Sequence, residues 1–406
     1  MCEIVAYLYD SELVAKFQRR CGLFLVEAHP KTDNPLQDTD DTEIHVRKRC
    51  RRLNGHSVIT KEKLDNNSND EFEKNEFTSN AQVLQQGYEV RNWLLHILFL
   101  VSASLGHEIF YITFLPCLHW NLDPFLCRRL VNMWALVMYI GQVLKDVLKL
   151  PRPLSPPVVK LESRVDVEYG LPSTHAIAAT SIFFTLLLSA PSRVQFQFEV
   201  GLLVAVVLSG LVCLSRLYTG MHSALDVICG VLISAGVMLI TYPYWETFEV
   251  LQLTSPFSPV IALALPLFLC YTYPELDHYS TTRGDTTTIF GSAAGCSVGY
   301  WVNEQLGETF EPQGVLPVPL PSLTLAGLAM GTARFTLGVA ALVVTRQAAK
   351  TVSLRVLCSW YRVAVNDREA RRRKEIEVPY KFVTYTLVGL VNSIVVNRVF
   401  ILLRLL

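Results

Sequence analysis

Charge is scarce in this chain, and what there is cancels. Of its 406 residues only 18% are charged, 36 basic against 36 acidic, for a formal net charge of +0. That composition excludes an ordinary charge-rich soluble domain. A chain with no net charge also gives no footing to a nucleic-acid partner or a strongly acidic ligand. Paired cysteines are missing too: the ten cysteines are scattered and none forms a C-x-x-C pair. Cys213, Cys229, Cys270 and Cys296 fall in apolar runs, so inert buried thiols are expected there rather than metal ligands or disulfides. The first residues lack the basic start, apolar centre and small-residue cleavage site of a signal peptide, and insertion is expected to rely on the first spanning helix. There is no convincing internal repeat.

Apolar residues are abundant, at 51%. Residues 1–91 stand apart as a polar, acidic region interrupted by "RKRCRR" and followed by "NNSNDEFEKNEF". Such a composition cannot bury a core and is expected to be largely disordered, apart from a short amphipathic helix near "ELVAKFQRRCGLF". Residues 92–406 alternate long apolar runs with short polar breaks, and a spanning helix needs about 20 mostly apolar residues. The expected fold is therefore all-α, a polytopic membrane helix bundle of about nine spanning helices. The expected spans are 93–117, 130–149, 174–190, 199–216, 222–243, 257–275, 287–306, 322–345 and 382–403. Between the last two, "TVSLRVLCSWYRVAVNDREARRRKEIEVPYK" turns from amphipathic to polybasic and is expected to rest on the membrane surface.

Three groups of ionisable residues interrupt the apolar pattern. Charges in hydrocarbon are costly, so they usually face an interior cavity and serve a function. In "KDVLKLPRP", Lys145 and Arg152 are seven positions apart and can share a helix face, while Pro151 and Pro153 end that helix. In "GLPSTHA", Pro172 and Ser173 open a helix with His175 in its first turn, where free N–H groups and the positive dipole end suit an anion. In "SRLYTGMHSALD", Ser215 and Arg216 end one helix, and His222 and Asp226 begin the next. Four residues apart, Asp226 can orient the His222 imidazole so that its other nitrogen attacks phosphorus. His175 can protonate a departing alkoxide, and two arginines and a lysine can meet the phosphoryl oxygens. Each feature also has a plain structural reading: a histidine satisfied by a carbonyl, a Pro-Ser helix cap, and snorkelling anchors at Lys149, Arg128 and Arg129. The three segments taken together favour a phosphate-ester hydrolase, because anion binding alone needs no acid.

These residues resemble the three-part signature of the type 2 phosphatidic acid phosphatase superfamily, K-x6-R-P, P-S-G-H and S-R-x5-H-x3-D, with Thr174 in the glycine position. Longer stretches, "MYIGQVLKDVLKLPRPLSPPVVKLE", "EYGLPSTHA", "LVCLSRLYTGMHS", "YSTTRGDTTTI" and "EIEVPYKFVTYTLVG", look like the sphingosine-1-phosphate phosphatases over nearly all of residues 92–406. The short "LVAKFQRRCGLF" leans toward the second isoform of that group. The resemblance implies a PAP2-type catalytic core at about 130–243, with His222 as a transient phosphohistidine, Asp226 orienting it and His175 as the acid. It implies that Lys145, Arg152, Ser173 and Arg216, with Thr174 and Ser215, hold the phosphate without metal or cofactor. Sphingosine-1-phosphate and its dihydro form would be the substrates, the lipid bilayer the surroundings, and the endoplasmic reticulum the membrane. Two alternatives stay open: a related phosphatase acting on another lipid phosphate or on glucose-6-phosphate, and a non-enzymatic protein that binds lipid headgroups.

Weaker signals concern pairing and orientation. Glu108 and Arg334 lie at hydrocarbon depth and are expected to pair with each other in preference to lining the substrate route, and "STTRGDTTT" around Arg283 and Asp285 reads as a turn. With nine helices the catalytic loops, the N-terminal region and the basic run Arg371 to Lys374 share one side, which the positive-inside rule makes cytosolic. The resemblance implies a lumenal site, and the sequon at Asn66 offers a test.

Overall fold

The computed structural model describes residues 2–26, 87–162, 168–312, 314–320 and 324–405, without the side chains of Cys2, Glu108 and Ile109. The Asn66 sequon and the basic block at 47–52 lie outside the described residues. Residues 1–25 and 88–406 form one unit, and of the second unit, 26–87, only the two end residues are described.

Short polar side chains placed before apolar runs set the helix starts. Asp123 accepts from the Phe125 N–H ahead of Pro124, Ser173 from Ala176, Ser223 from Asp226, and Thr324 from Gly327, which satisfies N–H groups that have no partner within the helix. In chain order the helices are α1 Cys2–Tyr9, α2 Ser11–Arg20, α3 Trp93–Ser104, α4 Glu108–Asn121, α5 Pro124–Leu148, α6 Thr174–Ser189, α7 Phe198–Tyr218 and α8 Ala224–Thr241. They continue as α9 Trp245–Thr254, α10 Ser258–Tyr271, α11 Thr282–Gln305, α12 Leu325–Trp360, α13 Arg368–Arg372, α14 Lys374–Leu390 and α15 Val396–Leu402. Two small ladders complete the unit: antiparallel β1 Leu23–Leu25 with β2 Tyr88–Val90, and parallel β3 Val194–Gln195 with β4 Val318–Pro319.

The protein is an all-α membrane protein. Among the described residues five stretches are long and apolar enough to cross a membrane: Thr174–Ser192, Phe198–Tyr218, Ala224–Thr254, Leu325–Trp360 and Lys374–Leu402. The other four predicted ranges are helical but shorter or more polar. The first is broken into α3 and α4, and α10 has 14 residues. Helices α5 and α11 are long but carry Arg128, Arg129, Lys145 and Asp146, and Arg283, Asp285 and Glu304.

Helix α6 is the hub, packed by α5, α7 and α8. Its small residues Ala176, Ala178 and Ala179 are buried, and small side chains let backbones approach where lipid leaves no hydrophobic driving force between helices. Polar contacts bind the same bundle: Ser234 donates to the Ile177 carbonyl at 2.7 Å, and Thr180 and Ser209 lie 3.2 Å apart.

Several expectations are corrected. The break in the first span lies at Leu105–His107, where Gly106 and His107 donate to carbonyls three residues back. A Cβ on Gly106 would stand 2.6 Å from the His175 ring, so the chain turns where that imidazole approaches. The first part of the stretch after the eighth range continues α12, which runs unbroken for 36 residues to Trp360 with no proline to stop it. Arg128 and Arg129 do not snorkel: Arg128 is buried and both pair with Glu249, Arg129 at 2.5 Å. The expected turn at Arg283 is instead the start of α11, fixed by Arg283 pairing with Glu377 at 2.7 Å. Arg334 donates to the Leu405 carbonyl at 2.6 Å, while the Glu108 side chain lies outside the described residues. Of the four cysteines, Cys213, Cys270 and Cys296 are buried and Cys229 is half-buried, all as free thiols.

The first 25 residues are built into the body. Tyr9 donates to the Pro151 carbonyl at 2.8 Å, and Ser11 accepts from the Leu154 N–H at 3.0 Å. The fully buried Gln18 donates to the carbonyls of Val159 at 2.7 Å and Tyr218 at 2.9 Å, and accepts from the Val159 N–H at 2.9 Å. Helix α2 thus ties the loop after α5 to the end of α7.

Candidate active site

Lys145 lies in the last turn of α5, which closes on Lys149 in the left-handed conformation (φ 52). Its side chain is 2% exposed. Beyond the helix end, Arg152 reaches across to the third segment and donates from Nη1 to the Met221 carbonyl at 3.1 Å. Ser173 caps α6, and its own N–H donates to the Asp226 carbonyl at 3.0 Å, joining the second segment to the third. His175 follows in the first turn, edge-on to His107 with ring centroids 5.5 Å apart. Its Nε2 is buried and has no hydrogen-bond partner among the described residues. Thr174 turns its methyl toward Gly141.

The third segment bends sharply between α7 and α8. Gly220 has φ +71, and a Cβ there would lie 2.2 Å from the Val159 carbonyl oxygen, so only glycine fits. The turn presents His222, 1% exposed, just ahead of the Ser223 cap. Asp226 serves two purposes. Its Oδ2 accepts from the Ser223 N–H at 2.8 Å, closing a capping box, and lies 3.6 Å from His222 Nδ1. That distance exceeds a hydrogen bond, but catalytic contacts often tighten only around substrate. Arg216 is buried at the end of α7. The Ser215 hydroxyl donates to the Val212 carbonyl of its own helix at 2.6 Å.

The three cations converge, and each already grips a carboxylate. Arg216 holds Glu162 with two nitrogens, at 3.0 and 3.3 Å. Lys145 Nζ and Arg152 Nη2 share Glu168 Oε2 at 3.5 and 3.2 Å, and Thr281 donates to Glu168 Oε1 at 2.8 Å. Burial alone would raise the Glu168 carboxyl, but Lys145, the Thr281 hydroxyl and Arg152 hold it below the usual range. Burial, then Arg152, Arg216 and Lys145, hold His222 well below the usual histidine range, so its imidazole stays neutral. The same cations act electrostatically on His175. Both imidazoles, the aspartate and the three cations therefore belong to one cluster. Among the described residues no group of three His, Cys, Asp or Glu gathers as metal ligands would.

Sequence reasoning missed Glu162, Glu168, Thr281, His107 and Gln18. The two glutamates stand in plain view in the loop between Arg152 and Ser173, but no local spacing ties either to a particular cation.

Residues 127–249, which contain every one of the predicted site residues, match the PAP2 superfamily, and this defines the class as a PAP2-type membrane phosphatase. The chain is 50% identical to human sphingosine-1-phosphate phosphatase 2 over 394 residues, 96% of each chain. It is 47% identical to the mouse protein of that name, again over 96% of each. Mouse sphingosine-1-phosphate phosphatase 1 is 40% identical over 77% of this chain and 73% of its own. The chain belongs to the sphingosine-1-phosphate phosphatase family, with higher identity to these isoform 2 proteins than to this isoform 1 protein. No solved structure matches it.

Proposed function

We propose that the chain hydrolyses sphingosine-1-phosphate and dihydrosphingosine-1-phosphate to the sphingoid base and inorganic phosphate through a phosphohistidine at His222. The observation that carries this is the grip of Lys145, Arg152 and Arg216 on acidic side chains beside two imidazoles. Cations from separate segments that hold carboxylates can hold phosphoryl oxygens in the same way. The substrate follows the relatives' names.

Phosphate displaces Glu162 and Glu168 and takes the three cations, with Ser173 and the free N–H groups at Thr174 and the start of α6 beside it. Ser215 has to turn from Val212 to join them. Neutral His222 attacks phosphorus, the P–N bond forms, and the ester P–O bond breaks with its electron pair leaving on the alkoxide. His175 gives that alkoxide a proton, while Asp226 offsets the charge on the His222 ring. Water then attacks the phosphohistidine, its proton passes to His175, the P–N bond breaks with its electron pair returning to the His222 nitrogen, and inorganic phosphate departs. No step calls on a metal or cofactor. The direct test is phosphate release from sphingosine-1-phosphate in EDTA. The wild type is expected to turn over and His222→Ala to be inactive, whereas unchanged turnover in the variant overturns the assignment.

The family resemblance also supports an endoplasmic reticulum membrane with the site facing the lumen. Arg372, Arg373 and Lys374 line a cavity of about 290 Å³ together with Asp146 and Thr282, so the basic run stands at the catalytic end and the positive-inside rule favours the opposite orientation. Leu154, 71% exposed in the catalytic loop, decides between them. Replaced by Cys, it is protected from an impermeant maleimide in sealed microsomes if the site is lumenal and labelled if it is cytosolic.

A further inference from the structure

Glu168 is held at the phosphate cations in a way that Glu162 is not. Both oxygens of Glu162 face Arg216, so a phosphate that takes Arg216 displaces the whole carboxylate at once. Glu168 divides its contacts. Its backbone carbonyl accepts from Arg152 Nε at 3.0 Å and its Oε1 from Thr281 at 2.8 Å, while only Oε2 meets Lys145 and Arg152 Nη2. When phosphate takes those two cations, Oε2 loses its partners but the residue stays tethered by its main chain and by Thr281. An ionised carboxylate is then left beside a bound dianion in a partly buried site, which is unfavourable unless a new cation arrives.

A sphingoid-base phosphate brings that cation with it. Its ammonium group sits on the carbon next to the one that bears the phosphate, so the two charges enter together. Phosphatidate and simple alkyl phosphates bring none. We infer that Glu168 exchanges partners on substrate binding, from Lys145 and Arg152 to the ammonium of the sphingoid base, and thereby selects amine-bearing lipid phosphates. This rests on the phosphatase reading and adds the feature of the substrate that the site recognises. Thr281 acts as a positioning residue, keeping the freed carboxylate at the rim.

The test compares kcat/KM of the purified full-length protein on sphingosine-1-phosphate, N-acetylsphingosine-1-phosphate and hexadecyl phosphate in mixed micelles. The wild type is expected to prefer the free amine over both others by about tenfold, the scale of a charge-assisted contact that is partly exposed. In Glu168→Gln, activity on sphingosine-1-phosphate falls by about the same factor, while activity on hexadecyl phosphate rises because the cations are no longer occupied by a carboxylate. Thr281→Val narrows the preference in the same direction. A wild type that is active but indifferent to the amine overturns this inference alone, as does a Glu168→Gln variant whose activities on all three move in parallel. A wild type inactive on all three overturns the phosphatase reading and this inference with it.

Discussion

Two buried histidines of this bundle are treated in opposite ways. His119, 3% exposed, has both ring nitrogens engaged: Asn397 donates to Nε2 at 2.9 Å, and Nδ1 lies 3.0 Å from the Tyr300 hydroxyl. His222, 1% exposed, has only a 3.6 Å approach from Asp226 at Nδ1, and that nitrogen has no hydrogen-bond partner among the described residues. The ion pairs differ in exposure. Arg128 and Arg129 are packed against Glu249, which is 6% exposed, whereas Arg152 and Lys145 hold a glutamate whose side chain is 27% exposed. Buried polar groups are normally satisfied, and two imidazoles with an open nitrogen each, His175 Nε2 and His222 Nδ1, stand at helix ends in the candidate site.

The largest expected effects break this comparison if they come out alike. His222→Ala removes the proposed nucleophile, and turnover should fall by about 10⁶-fold, the scale seen when a nucleophile is lost. Its unfolding midpoint should barely move, because the ring leaves no satisfied partner behind. His119→Ala should do the reverse. It strands Tyr300 and Asn397, at a cost of about 1–3 kcal/mol for each orphaned group, so thermal unfolding in detergent shifts down while kcat stays within about fivefold. An inactive but stable His119→Ala protein would erase the distinction.

His175→Ala comes next. The loss expected for a missing general acid is about 10²–10⁴-fold on a sphingoid-base phosphate. The same variant should lose far less on p-nitrophenyl phosphate, whose leaving group departs without a proton. An equal loss on both substrates would assign His175 to binding instead.

The site residues were legible because their relations are local. Lys145 with Arg152, Ser173 with His175 and His222 with Asp226 are each close in sequence at a helix end, although the helix face expected for Lys145 and Arg152 is not formed: α5 stops at Leu148, and Arg152 approaches Glu168 from the loop beyond it. The remaining features depend on approach across the fold. Gln18 bonds residues 141 and 200 positions away, and Thr281 bonds Glu168 from 113 positions away. The break at Gly106 follows from His175 standing opposite it, and the turn expected at Arg283 becomes helix because Glu377 arrives from another segment. A polar amino-acid composition across residues 1–91 likewise concealed that the first 25 residues carry the strut for the catalytic loop.

That strut gives a smaller and sharper effect. Gln18→Ala frees Val159 and Tyr218, the first in the loop that carries Arg152 and Glu162 and the second just ahead of the His222 turn. A displacement of about 1 Å at reacting groups can cost about 100-fold, and a loss of about tenfold in kcat is expected here, with Gln18→Glu recovering part of it through the Val159 N–H. Loss of fold would instead lower kcat and the unfolding midpoint together. A Gln18→Ala protein with wild-type kcat would detach the N-terminal helices from the active site.

The smallest effect is a pH profile, and it tests whether His222 stays neutral as the proposed nucleophile must. An unperturbed histidine, with a pKa near 6.5, is about three-quarters protonated at pH 6. Burial, Arg152 and Arg216 lower His222 well below that range, so its neutral, nucleophilic form persists as pH falls from 7 to 6. The substrate phosphate, with a second pKa of about 6, still titrates there. In Asp226→Asn, where the neighbouring carboxylate can no longer titrate, the acid side of kcat/KM should therefore fall with a slope of one, the single proton belonging to the substrate. A slope of two breaking near 6.5 would mean that His222 takes up a proton in the same range. In that case its surroundings do not hold it neutral, and protonation removes the proposed nucleophile as pH falls.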